Sequence, residues 1–260
     1  MGVGRSKTRE IIPNYIPSLL ISFSKLEEFK SLFKSEKRQK QLSDFFSSLI
    51  ENDKELNTKV EEFKKMISKG KKKMPELIEY ILNTLHYELN EPQKNVYTIV
   101  GKKNNDDDLS YDDFINIYWK ENDSIIQKLF FGVEEIIKAC SKCKLIKKNY
   151  EIFKMEEYKI PKEKVIDIRE IIRQKNLGEL DFSECKFCKK KKYKTTSTII
   201  NYPCIFIIFF DRKGNNNNNN LIYYQNFTIK DNLYSLTCFI ANSDENGKVD
   251  KDNNVFLFRR

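Results

Sequence analysis

The chain has 260 residues and carries 47 Lys and Arg against 38 Asp and Glu, a net charge of +9. With 40% hydrophobic and 33% charged residues, and only 8 Gly and 6 Pro, it is neither collagen-like nor wholly disordered, and its length suits one large domain or two small ones. Its single His excludes three-histidine metal sites and HExxH proteases, and 6 Cys are far too few for a disulfide scaffold.

The basic excess is Lys-dominated and interleaved with Glu, which reads as solvated helix and strand faces. The dense runs Lys71–Lys73 and Lys189–Lys192 are joined to no recognisable nucleic-acid module. Met1-Gly2-Val3-Gly4-Arg5-Ser6 has no apolar core behind its charge, so no signal peptide is predicted; Gly2 and Ser6 fit only the crude myristoylation pattern. The most apolar runs, Ile16–Phe23 and Cys204–Phe210, are too short to span a bilayer. These features predict an intracellular protein of the cytoplasm or nucleus, with reduced cysteines and no membrane partner.

In chain order, residues 1–13 are basic and irregular. Leu19, Leu20, Phe23, Leu26, Phe29 and Phe33 recur at helical spacing, a helix or a broken pair. Gln41–Ile50 reads as another helix, with Leu42, Phe45, Phe46 and Leu49 on one face. Asp53–Lys69 is charged and helix-prone, and Gly70 breaks it. The clearest helix follows: Pro75 suits its first turn, Leu77, Ile81, Leu85 and Leu89 form an i,i+4 stripe, and Pro92 stops it. Val96–Val100 reads as a short strand, Lys102–Asp108 as a polar loop, and Ile115–Lys120 as a strand or a short helix. After Gly132 the texture changes to short runs of Ile, Phe, Tyr and Val. Glu134–Ala139, Tyr150–Met155, Thr195–Asn201, Cys204–Phe210, Leu221–Phe227, Tyr234–Ala241 and Val255–Phe258 are strand candidates. Asn215–Asn220 is a low-complexity loop or hairpin tip.

Cys140-Ser-Lys-Cys143 and Cys185-Lys-Phe-Cys188 are two CxxC pairs. Two residues between thiolates let both sulfurs turn toward one ion, and two such knuckles give tetrahedral zinc its four ligands. Soft thiolates favour zinc over hard cations. A closed four-cysteine set leaves no position for water or substrate, so one structural zinc per chain is predicted. Redox chemistry of a single CxxC, and a site that has lost its metal, are the competing readings. Cys204 and Cys238 lie in apolar strand patterns and read as small buried hydrophobes.

The order of features resembles the catalytic domain of ubiquitin-specific proteases. The segment from Lys73 to Leu89 is similar to that family's DAHEFL…LHEEL helix, with Glu76 and Leu77 on the Glu and aromatic positions and Leu85-His86 and Glu88-Leu89 on the LH and EL pairs. Phe130-Phe131-Gly132 resembles the F-x-G before the first knuckle, and Pro203–Arg212 the P-x-x-L-x-x-x-L-x-R-F strand, with Lys213 for the usual Phe. Tyr234-Ser-Leu236 resembles the Y-x-L before the histidine box. The resemblance implies an α+β, papain-like fold in one domain over residues 1–260. Residues 1–128 would be a mainly helical thumb, 129–200 zinc-binding β fingers, and 201–260 a truncated β-rich palm.

It also implies isopeptide hydrolysis after ubiquitin's C-terminal glycine, by a Cys nucleophile, a His base and an orienting Asn or Asp. Here the motif departs. Aligning Tyr15 and Ser18-Leu19-Leu20 with the N-terminal box puts Asn14 at the nucleophile position, and no cysteine precedes Cys140. Arg9 falls near the oxyanion-hole Asn, and Ile21 replaces the Gln of the box. Asn253-Asn254-Val255 falls on the G-H-Y box, so Asn254 occupies the base position, and the strand that carries the orienting residue is missing. An amide is no nucleophile and cannot shuttle protons near neutral pH. The sole histidine, His86, falls on a structural position of the thumb helix.

The sequence therefore predicts an inactive family member that binds ubiquitin or a ubiquitin-like protein, or scaffolds a complex. Two alternatives remain at this level. One is a nucleic-acid-binding zinc module, supported by the +9 charge and the Lys run after Cys188, and opposed by the wide separation of the knuckles. The other is a fragment of an active deubiquitinase from an incomplete gene model.

Overall fold

The computed structural model describes residues 15–35, 40–51, 55–67, 73–91, 110–159, 165–174, 179–181, 184–185, 187–190, 193–211, 220–229, 231–243 and 249–260. The strand expected at 96–100, the loop at 102–108, the Gly70 break, Arg9, Asn14 and most of the asparagine run lie outside these residues.

The N-terminal half is helical. The apolar spacing from Ile16 to Phe33 becomes a broken pair, α1 (Tyr15–Lys25) and α2 (Glu27–Ser35), interrupted at buried Leu26. α3 (Gln41–Glu51) and α4 (Leu56–Met66) follow, then α5 (Met74–Leu89), which has Pro75 in its first turn. The Lys73 backbone N–H donates to Glu76 Oε2 at 3.0 Å, closing that first turn. The α5 stripe Leu77, Ile81, Leu85 and Leu89 is buried, together with Ile78 and Leu82. Glu88 looks the other way. Its carboxylate accepts the Leu42 and Ser43 backbone N–H groups at 3.0 and 2.8 Å, so α5 supplies the N-terminal cap of α3.

Around α5 the phenylalanines interlock. Phe23, Phe29, Phe46 and Phe130 meet edge-on or tilted, with ring centroids 5.1–6.3 Å apart. The ambiguous segment near Ile115 is a helix, α6 (Tyr111–Glu121), because Ser110 caps it by accepting the Asp113 N–H. A helix not anticipated from sequence, α7 (Ile125–Phe130), has the same device: Ser124 Oγ accepts the Gln127 N–H at 3.0 Å.

The strands form two main sheets. β1 (Gly132–Cys140), β2 (Ile146–Phe153), β5 (Glu179–Asp181) and β6 (Tyr193–Asn201) make an antiparallel sheet of order β2-β1-β6-β5. β3 (Glu156–Lys159), β7 (Ile205–Asp211), β9 (Asn226–Ile229), β10 (Asn232–Ser243) and β11 (Val249–Arg259) make a second sheet of order β3-β7-β11-β10-β9. β3 follows the fingers strand β2 after two residues yet joins the second sheet, parallel to β7. β4 (Val165–Asp167) pairs with β8 (Asn220–Ile222), and between β4 and β5 lies a short helix, α8 (Ile168–Gln174).

The second sheet is covered on both faces, which explains why β7 reads as an unbroken apolar run rather than an alternation. Ile205, Ile207, Phe209, Val255 and Leu257 belong to the helical core. Phe206, Ile208, Phe210, Phe256 and Phe258 belong to a separate core with Ile168, Ile171 and Ile172 of α8. Tyr234 closes that core, its hydroxyl donating to the Pro203 carbonyl at 2.6 Å.

Candidate metal centre and acidic cleft

The two CxxC pairs converge at the far end of the first sheet. β1 ends at Cys140, and β6 begins at Tyr193, its partner in register. The chain turns twice in the same way. Cys140 N–H donates to Leu145 O at 2.9 Å and Lys144 N–H to Cys140 O at 3.1 Å; Cys185 N–H donates to Lys190 O and Lys189 N–H to Cys185 O, both at 2.8 Å. In each turn the residue after the second cysteine takes a left-handed conformation, Lys144 at φ 61° and Lys189 at φ 58°. That conformation is costly for a side-chain-bearing residue. It folds each backbone back so that both thiols point inward.

The four sulfurs lie within 4.8 Å of one another, with Cys140–Cys188 at 3.6 Å and Cys143–Cys185 at 3.7 Å. Zinc–sulfur bonds of about 2.3 Å in a tetrahedron put sulfurs about 3.8 Å apart, so the spacing suits one tetrahedral ion. The electrostatics agree. Backbone N–H groups of Cys143 and Lys142 hold the Cys140 thiol below its ordinary range. The Cys188 N–H and the Tyr193 hydroxyl bring Cys185 down to about 6. Cys143 gains from the Leu145 N–H, but burial and its three sulfur neighbours outweigh this and push it up to about 12. The four cysteines could hold a metal ion.

His86 is occupied elsewhere. Its Nδ1 lies 2.6 Å from Ser124 Oγ and its Nε2 3.1 Å from Asn122 Oδ1. Asn122 uses its amide to donate to the Tyr118 carbonyl at 2.9 Å, which leaves Oδ1 as an acceptor. Nε2 therefore carries a proton that it donates to Asn122 Oδ1, while Nδ1 faces the Ser124 hydroxyl. Burial lowers its basicity below the ordinary imidazole range, the Asn122 bond opposes this, and the Lys154 charge adds to the lowering. The ring ties α5 to the α6–α7 turn and packs against Phe131 at 5.2 Å.

The remaining thiols are equally committed. Cys238 on β10 lies 2.7 Å from Ser22 Oγ of α1, and burial pushes its thiol up despite that bond. Cys204 is half-buried and accepts from the Arg260 guanidinium at 3.4 Å. Neither is in contact with His86.

Asn14 lies outside the described residues, immediately before α1. Asn254 is in the central strand β11, opposite Ala241 of β10 and Phe210 of β7. Burial and the Glu76 charge raise the phenol of Tyr15, the first residue of α1. Glu76 in turn shares a cleft with Asp211, the β7 residue paired with Asn253. That cleft has a volume of about 280 Å³ and carries four carboxylates, from Glu76, Glu79, Glu157 and Asp211, against the single amine of Lys73. Sequence reasoning noted Glu76 only as a motif match and missed the other three. The i,i+3 spacing of Glu76 and Glu79 at the start of α5 was the available signal.

Three solved structures share this fold. The yeast SAGA DUB module with an Sgf73 mutant aligns with a TM-score of 0.64 at 12% identity, over 94% of this chain and 66% of that one. A SAGA Ubp8–Sgf11–Sus1–Sgf73 DUB module aligns at 0.64 and 13%, over 100% and 72%. The Ubp8–Sgf11–Sgf73–Sus1 module aligns at 0.62 and 12%, over 93% and 64%. The chain thus spans about two thirds of the length of these relatives, and identity this low establishes the fold alone. No curated protein matches it in sequence.

A helical layer, a sheet covered on both faces and a four-cysteine finger define a deubiquitinase-type α+β fold. The ubiquitin carboxyl-terminal hydrolase family profile matches residues 13–251, and the chain belongs to that family.

Proposed function

We propose that this chain is a catalytically inactive member of its family, holds one structural zinc at Cys140, Cys143, Cys185 and Cys188, and binds ubiquitin or a ubiquitin-like protein. In this reading residues 1–128 act as thumb, 129–200 as fingers and 201–260 as palm, and the protein works inside the cell, alone or as a subunit of a larger complex. The observation that supports the binding reading is the acidic cleft lined by Glu76, Glu79, Glu157 and Asp211. Ubiquitin's rim is basic, and a cleft with four carboxylates favours an extended basic segment there.

Loss of catalysis rests on the residue types. Position 14 has an amide for a thiol and position 254 an amide for an imidazole. The thiols that do exist either join the metal set or sit in the palm away from the sole imidazole. With no group to take and return a proton, the family's nucleophilic route has no first step.

The test compares three measurements on purified protein. About one zinc per chain is expected, together with saturable binding to immobilised ubiquitin and no covalent labelling by a ubiquitin-based electrophilic probe. Labelling would overturn the inactive reading. Stronger binding to RNA than to ubiquitin at matched salt would overturn the partner.

A further inference from the structure

Folding brings to one tip two segments that are about forty residues apart in sequence. The knuckles stand at the far end of the nine-residue strand β1, roughly 26 Å from Gly132, where that strand begins after α7. Three large apolar side chains project from them into solvent: Phe187, between the second pair of cysteines, is 79% exposed, Ile146 is 61% exposed, and Leu145 is also exposed. Around them stand the exposed lysines Lys142, Lys144 and Lys190, with Glu184 as the nearby carboxylate. None of the three apolar side chains makes the cysteine turns, which are closed by backbone hydrogen bonds.

We infer that this tip docks on anionic membrane surfaces. The combination supplies both signals that reversible membrane attachment requires, apolar groups to enter the headgroup boundary and lysines to meet anionic lipid. The shape fits the same occupant. The side chains are knobs on a convex tip, and a bilayer accepts knobs without a matching pocket. A nucleic acid would use the lysines and could stack on Phe187, but Leu145 and Ile146 offer no ring for a base to stack on. A second copy of the tip would bring lysines against lysines. The inference needs no membrane-spanning segment, and none of the described helices is long and apolar enough to be one. It departs from the sequence-level expectation of no membrane partner because folding gathers the apolar and basic residues of both knuckles at one tip. It goes beyond the ubiquitin-binding reading and uses a different face from the acidic cleft, so either can fail alone.

The experiment is co-sedimentation of the metal-loaded full chain with vesicles of phosphatidylcholine containing 30% phosphatidylserine, against pure phosphatidylcholine, at low and physiological salt. Saturable pelleting is expected only with the anionic vesicles. I146S/F187S and K142A/K190A should each weaken it at least tenfold while leaving metal content and ubiquitin binding unchanged. Should the serine variant lose its metal, F187W in a W119F background serves instead: a blue shift of its emission on anionic vesicles is expected. Four results overturn the inference: no pelleting, pelleting untouched by the apolar substitutions, no fluorescence shift, or a single-stranded RNA oligomer that binds more tightly at the same salt and competes the vesicles away.

Discussion

The junction between helices and fingers turns on Gly132. An added Cβ there would overlap the Phe153 ring, with Cε1 at 2.5 Å, and would approach the Asn201 carbonyl to 2.9 Å. The ring can move, but only by leaving Phe206, which it meets edge-on at 6.3 Å. The carbonyl cannot move without disturbing the β1–β6 register, where Val133 pairs with Asn201. Overpacking costs about 1–3 kcal/mol, and a lost aromatic pair adds about 0.5–1.5. Gly132→Ala should therefore destabilise the protein by about 2–3 kcal/mol, which in a chain of this size lowers the melting temperature by roughly 4–6 °C. The check is a double-mutant cycle by thermal and urea unfolding of the metal-loaded protein. In a Phe153→Ala background the same glycine substitution should cost less than about 1 kcal/mol, because the ring is gone and only the carbonyl remains. An unchanged melting temperature, or an equal cost in both backgrounds, would refute the reasoning.

Three further outcomes are expected. Glu88→Ala removes the cap of α3 and should cost about 1–2 kcal/mol in chemical denaturation, with Glu88→Gln losing less because an amide oxygen still accepts. For His86, the folded state favours the neutral ring, so the unfolded chain binds more protons as pH falls past the ordinary value near 6.5. Stability should be flat above that pH and decline below it until the folded ring also protonates; His86→Gln should flatten the decline between pH 7 and 5, and an unchanged slope would place the titration elsewhere. Stripping the metal with a chelator should abolish amide-exchange protection across β1, β2 and β6 while α5 and the helical core keep theirs; uniform loss of protection would make the ion a keystone of the entire chain.

The legibility of the sequence followed the kind of signal each element carried. α5 was visible because its i,i+4 stripe faces one core, and its observed span Met74–Leu89 matches the expected one closely. β7 and β10 were visible as apolar, β-branched and aromatic runs; β7 lies one residue further along the chain than its candidate, and β10 extends its candidate by two residues at each end. The cysteine cluster was legible because ligand spacing is local while the ion's demand for four ligands is not. The hidden elements were short or held from outside. β3 has only four residues and is recruited by β7. The helix over Tyr111–Glu121 depended on a single capping serine that the apolar pattern does not encode. The acidic cleft gathers Glu79, Glu157 and Asp211 from three elements, and no sequence window contains all of them.

Strand β11 lies between β7 and β10, and the side chains of Val255, Phe256, Leu257 and Phe258 alternate between the two hydrophobic cores. That arrangement imposes an order on biosynthesis. The helices and the fingers can form as they leave the ribosome, but β7 and β10 must wait side by side with an empty slot between them until Val249–Arg259 emerges. During that interval two apolar strand edges lie open, and the nascent chain is at its most dependent on chaperones. A ribosome stalled just before β11 would expose both edges at once.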